Sequence, residues 1–150
     1  MIRYVLALAL AVTILGMATT ALDHAAGVRG EQAVESELAT LEDAAVELYE
    51  AESLDPASDG PRRIVELDLP AESLTTDGTE LLRIDTHPDR AASTVRYSTG
   101  GREHSEQLRV PMRAAGGGAL DLSGRTGTVR LVLRLVSDPV HERVIEVEVL

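Results

Sequence analysis

Residues 4–22, YVLALALAVTILGMATTAL, carry no charged side chain, and a chain can satisfy such a run in only a few ways. As an α-helix the run extends about 28 Å at 1.5 Å per residue, close to the roughly 30 Å of bilayer hydrocarbon. Beyond Tyr4 its polar side chains are Thr13, Thr19 and Thr20, whose hydroxyls can bond back to the helix's own carbonyls. Arg3 and the amino terminus precede it; Asp23, His24 and Glu31 follow it, with Arg29 the one base among them. A single transmembrane segment is therefore expected, with the N-terminus cytoplasmic and everything beyond residue 23 extracellular. The competing fates are a cleaved signal peptide with its apolar region at 4–15, and a buried helix of a soluble protein. GMATTALDHAA offers small residues for cleavage but no clean A-x-A site at the usual distance. Gly16 and Thr20, four apart, form a small-xxx-small pair, a candidate contact between transmembrane helices.

Directly downstream, EQAVESELATLEDAAVELYE (31–50) holds seven acidic residues and no base. Val34, Leu38, Leu41, Ala45 and Leu48 are spaced 4, 3, 4 and 3, an apolar stripe with acids around it. The pattern predicts an amphipathic helix whose carboxylates form the wet face. Gly27 and Gly30 mark a weak hinge between the two helical stretches, and the prolines of LDPASDGPRR end the second. Such a stripe is too short for an isolated coiled coil. It packs either on the chain's own β domain or on neighbouring subunits.

From Arg62 the period changes to two. RRIVELDLP sets Val65, Leu67 and Leu69 on one face; TELLRID (79–85) reads as a second strand, and STVRYSTGGREHSEQLRV as a hairpin turning at Gly100-Gly101. GGG at 116–118 and SGRTG at 123–127 read as loops. TVRLVLRLV (128–136) and RVIEVEVL (143–150) form an expected antiparallel pair, Arg130 and Arg134 facing Glu146 and Glu148. The fold class is α+β: a long N-terminal helix, transmembrane then amphipathic, packed on a C-terminal antiparallel sheet of about five to seven strands. The expected organisation is a transmembrane segment and hinge (1–30), an amphipathic acidic helix (31–53), a linker (54–63) and an antiparallel β domain (64–150).

Charge narrows the environment. The net charge is −11, all fourteen bases are Arg, and Lys and Asn are absent. Concentrated salt, in which the Debye length falls to roughly 3 Å, screens such self-repulsion. The composition is that of a halophilic protein, and it predicts reversible loss of the soluble fold at low salt; a GC-rich genome would also favour Arg over Lys. An acidic surface argues against nucleic acid, whose phosphates require a basic footprint. With no Cys, Phe or Trp, the chain has no disulfide, no thiolate nucleophile and an aliphatic core.

Neither catalytic residues, a cofactor site nor a metal site is expected. Asp85, His87 and Asp89 alternate but flank Pro88; His104 with Glu106, and His141 with Glu142, have no partner identifiable by spacing. No G-x-S-x-G, H-E-x-x-H or phosphate-binding glycine loop occurs.

One long helix, apolar in residues 4–22 and amphipathic in 31–52, followed by an antiparallel sheet, resembles the type IV pilins and pseudopilins, and particularly the small acidic pilin-like proteins of halophilic archaea. That resemblance implies an apolar half held in the membrane or packed as the spine of a filament or secretion pseudopilus. It differs from the family in two respects: the run follows MIR directly, and residues 4–22 contain no Glu. Both suit a minor, tip-like or unprocessed accessory member. The expected function is a non-catalytic, membrane-anchored subunit of a surface filament or secretion-type assembly. Its partners would be lipid, through 4–22, and other pilin-like subunits or a secretion platform. The alternatives are a tethered extracytoplasmic binding module and a secreted acidic β protein released by signal cleavage.

Overall fold

The structure, a computed structural model, describes residues 2–51, 60–73, 75–87 and 89–150, with the side chains of Thr20 and Ala51 outside that description. Among the described residues a single helix, α1, spans Ile2–Ala51. Eight strands follow: β1 (Arg62–Leu69), β2 (Thr79–Thr86), β3 (Ser93–Thr99), β4 (Arg102–Leu108), β5 (Met112–Ala114), β6 (Leu120–Asp121), β7 (Gly127–Asp138) and β8 (Glu142–Val149). The α+β class holds. Most of the expected linker, 54–59, lies outside the described residues, and β1 already takes Arg62 and Arg63.

The strands form two four-stranded sheets rather than one, ordered β1-β7-β8-β5 and β4-β3-β2-β6. Five of the six pairings are antiparallel, as expected, but β5 joins β8 in parallel, Met112 opposite Ile145. Period-two alternation tells that a strand is half buried; it does not tell which sheet owns it. The buried faces of both sheets share one core: Val65, Leu67, Leu69, Leu131 and Leu133 from the first, Leu82, Ile84, Val95 and Tyr97 from the second. Val34, Leu38, Leu41, Ala45 and Leu48 of α1 belong to the same core, each no more than 5 % exposed. Burying one such leucine contributes about 1.5–3 kcal/mol. The stripe therefore packs on the chain's own domain, mainly along β1.

Two turns explain the local register. At the β3–β4 hairpin Thr99 faces Arg102, and Gly100 and Gly101 have φ of 55° and 70°. Positive φ at both central positions gives a two-residue turn whose twist matches the strands. The β7–β8 hairpin turns at 139–141, where the Asp138 carboxylate accepts the backbone N–H groups of Val140 and His141. These bonds hold the Asp138 carboxyl below the usual carboxylate range, assisted by Arg113. Its register places Arg134 opposite Glu146 but Val132 opposite Glu148. Arg130 instead meets β1, its Nε 2.6 Å from Glu66 Oε1. Of the expected cross-strand charge match only the Arg134–Glu146 register holds, and the Glu146 carboxylate bonds to Arg113, because β7 and β8 each have a second neighbour.

Candidate functional site

The feature that stands outside the core is the first half of α1. Every described side chain from Ile2 to His24 is exposed, and the large apolar ones from Ile2 to Leu22 are 55–82 % exposed. No face of this cylinder is packed, so no stripe distinguishes an inside from an outside. Its backbone polar groups are satisfied within the helix, the condition for residence in hydrocarbon. Thr13 Oγ1 donates to the Ala9 carbonyl at 2.8 Å and Thr19 Oγ1 to the Gly16 carbonyl at 2.9 Å, as expected. A Cβ on Gly16 would meet nothing within 4 Å. Of the candidate helix contact, Gly16 thus presents open backbone, and the Thr20 side chain lies outside the described residues. This is the one helix long and apolar enough to cross a membrane among the described residues.

Burial begins at Ala26. The Asp77 N–H donates to the Ala26 carbonyl at 3.2 Å, and Arg29 Nη1 donates to the Thr75 carbonyl at 3.4 Å. A Cβ on Gly27 would stand 2.0 Å from Arg102 Nη2, and one on Gly30 would stand 2.5 Å from the Asp77 carbonyl oxygen. The helix runs unbroken through both glycines. Their role here is close approach, a place where the β domain lies directly on helix backbone.

Beyond the junction, the acids around the stripe do more than face water. Glu37 accepts the Asp68 N–H at 3.0 Å, Glu42 accepts Arg109 Nε at 3.0 Å, and Asp43 lies 3.5 Å from Arg109 Nη2. Glu47 pairs with Arg63. Glu31 Oε1 sits 3.3 Å from His104 Nδ1, and Glu35 accepts the Tyr97 hydroxyl at 3.3 Å. Six of the seven carboxylates between residues 31 and 50 thus fasten the helix edge to the sheets. Helical periodicity alone cannot show this, since the partners are tens of residues away. Exposed pairs of this kind contribute about 0–1 kcal/mol each, so they guide register more than they supply stability.

Two grooves carry the remaining polar groups. One, of about 440 Å³, lies between α1 and β4, with Glu35, Glu42 and Glu106 on its walls and Tyr97 stacked on His104 at 4.9 Å. Burial first, then the neighbouring Glu35, pushes the Tyr97 phenol up to about 12. The other, also about 440 Å³, brings His87 and His141 together with Arg113, whose guanidinium holds Asp138 at 2.6 Å and Glu146 at 2.9 Å. Spacing gave no reason to join these two histidines; only the packing of β2 against β5, which pairs with β8, does so. Asp85 also lines this groove, its carboxylate paired with Arg83 and Arg96 at 3.3 and 2.9 Å. His87 Nδ1 accepts the Asp89 N–H at 3.3 Å. Among the described residues no group of three or more His, Asp or Glu side chains is placed to hold a metal ion.

Fold and site together define a class: an α+β protein whose long N-terminal helix is half embedded in its β domain and half a bare, span-length apolar rod. The chain belongs to the family described as "Domain of unknown function (DUF7311)", whose model matches residues 1–150. No curated protein and no solved structure matches it.

Proposed function

We propose that this chain is a membrane-anchored, pilin-like structural or accessory subunit of a surface filament or secretion-type assembly, without catalytic activity. The observation that carries the reading is the contrast within α1: an apolar rod exposed on all sides, continuous with a helix that completes the core of a β domain. A soluble monomer rarely exposes a contiguous apolar patch of more than a few hundred Å². The rod therefore calls for lipid or for other apolar helices. Arg3 and the amino terminus before the rod, against Arg29 alone close after it, support a cytoplasmic N-terminus with the β domain outside. The acidic surface supports a salt-rich exterior and argues against nucleic acid as a partner.

The test is disulfide crosslinking in the native membrane of single-cysteine variants at Leu8 and Gly16, in a chain that otherwise has no Cys. Adducts through these positions are expected. A rod that stays in the membrane yet forms none points to the second reading, a tethered binding module. The acid-walled groove beside β4 favours that second reading, because it offers a built recess to a cationic ligand.

A further inference from the structure

We infer that the β domain sits directly on the lipid headgroups, through a rim of loops at the span-facing end, with Arg29 and Arg102 as its phosphate contacts. The inference rests on the membrane reading above and adds where the folded domain stands relative to the bilayer. The argument is one of lengths along a rigid helix. Leu22 ends the apolar run and Ala26 is the first buried residue, four positions or about 6 Å further on. The headgroup layer on each side of the hydrocarbon is itself about 5–7 Å deep. No spacer separates domain from membrane.

Strand direction fixes which loops face the lipid. Along β1, Arg63 pairs with Glu47 and Asp68 with Glu37, so the strand runs toward the span and segments 71–73 and 75–78 lie beyond it. Thr75 and Asp77 then bond to Arg29 and Ala26. Strand β4 leaves the same end, Arg102 beside Gly27 and Arg109 at Glu42, which puts the Gly100-Gly101 turn on the rim. Thr126 lines a cleft with Glu72, Asp77 and Gly100, which adds the 123–126 loop. The close fit of Asp77 against Gly30 keeps the domain from swinging away from the helix.

The rim's charge suits that position. It sets three guanidinium groups, Arg29, Arg102 and Arg125, among five carboxylates, Asp23, Glu72, Asp77, Glu80 and Glu103, in a chain that carries −11 overall. Arg29 and Arg102 are exposed and, among the described residues, make no ion pair: Arg29 Nη1 donates to the Thr75 carbonyl, and the Arg102 guanidinium lies over Gly27 near Asp77. A guanidinium presents a planar fork of donors that matches phosphate oxygens.

Absence of native Cys makes the test direct. Fluorophores are placed singly at Thr13→Cys in the rod, Thr75→Cys on the rim and Val140→Cys in the β7–β8 hairpin of the full-length protein in phospholipid vesicles. Val140 is the distal control, because neighbouring Arg143 lies 4.7 Å over the Tyr49 ring, about 40 Å along α1 from Leu22. Headgroup-attached nitroxide should quench the Thr75 label, acyl-chain nitroxide the Thr13 label, and aqueous iodide the Val140 label alone. A Thr75 label as open to iodide as Val140, with Thr13 still in the acyl region, overturns the seat and leaves the anchor standing. A Thr13 label open to iodide overturns the anchor itself. In Arg29→Gln/Arg102→Gln, where the helix still holds the rim at the interface, headgroup quenching at Thr75 should weaken with the circular dichroism unchanged; undiminished quenching removes the two arginines from the contact.

Discussion

Residues 2–24 and 26–50 of α1 share one backbone and one periodicity, yet every described side chain of the first is exposed while the second buries Ala26, Val34, Leu38, Leu41, Ala45 and Leu48. The first is apolar around its whole circumference; the second confines its apolar residues to a stripe and brackets them with acids. An all-round apolar helix needs a non-aqueous surround, and a striped one needs a single partner face. The two halves are thus written for different solvents, and the same leucine has a different worth in each.

That difference gives the largest expected effect. Leu41 is fully buried, and Leu41→Ala should cost about 2–5 kcal/mol, from lost burial and the cavity left behind. Leu8, 68 % exposed, touches no core, and Leu8→Ala should change the stability of the β domain by less than about 0.5 kcal/mol. Urea unfolding of the full-length protein in detergent, followed by circular dichroism, measures both. Equal losses would break the division between the halves.

The glycines sharpen it at the next level down. Gly30→Ala drives a methyl to 2.5 Å from the Asp77 carbonyl oxygen, a backbone atom that must move, and should cost about 1–3 kcal/mol. Gly27→Ala meets Arg102 Nη2, the tip of a flexible side chain that can swing off. Gly16→Ala meets nothing, and keeps the helix-propensity gain of roughly 1 kcal/mol that alanine holds over glycine. Thermal melts should therefore rank Gly30→Ala lowest, Gly27→Ala between, and Gly16→Ala at or above the parent. A Gly30→Ala protein as stable as the parent would restore the glycines to a mere weak point in the helix.

How far the sequence carries differs between elements for physical reasons. The stripe on α1 was legible to the residue because a helix packed on one face must repeat every 3.6 positions. Strands β1, β2, β7 and β8 were legible because half burial imposes alternation, and β3 and β4 because Gly100-Gly101 marks the turn between them. Strands β5 and β6 were not: three and two residues are too few to show a period. The division into two sheets, and the pairing of Arg130 with Glu66 rather than with β8, depend on which strands become neighbours. The acids of 31–50 looked like a solvated face, since nothing local says that Arg63, His104 and Arg109 will arrive beside them. Likewise Gly27 and Gly30 read as weak helix because their partners, Asp77 and Arg102, are distant in the chain.

The smallest effect probes the polar edge of the packed half through Tyr97, whose hydroxyl donates to Glu35 and whose ring stacks on His104. Burial, then Glu35, Glu31 and Glu106, raise its phenol from 10.0 to about 12. In the unfolded chain the phenol ionises first, so the stability it lends is complete below pH 10 and is lost as the pH climbs toward 12. Tyr97→Phe removes that titration. The variant should be somewhat less stable than the parent at neutral pH, having left Glu35 without its donor, and the gap should close between pH 10 and 12. Tyr4→Phe, in the exposed half, should leave the alkaline profile unchanged. A Tyr97→Phe protein that tracks the parent at a constant offset across that window would mean the phenol ionises alike in both states, and that the seam between α1 and β3 is far wetter than its packing implies.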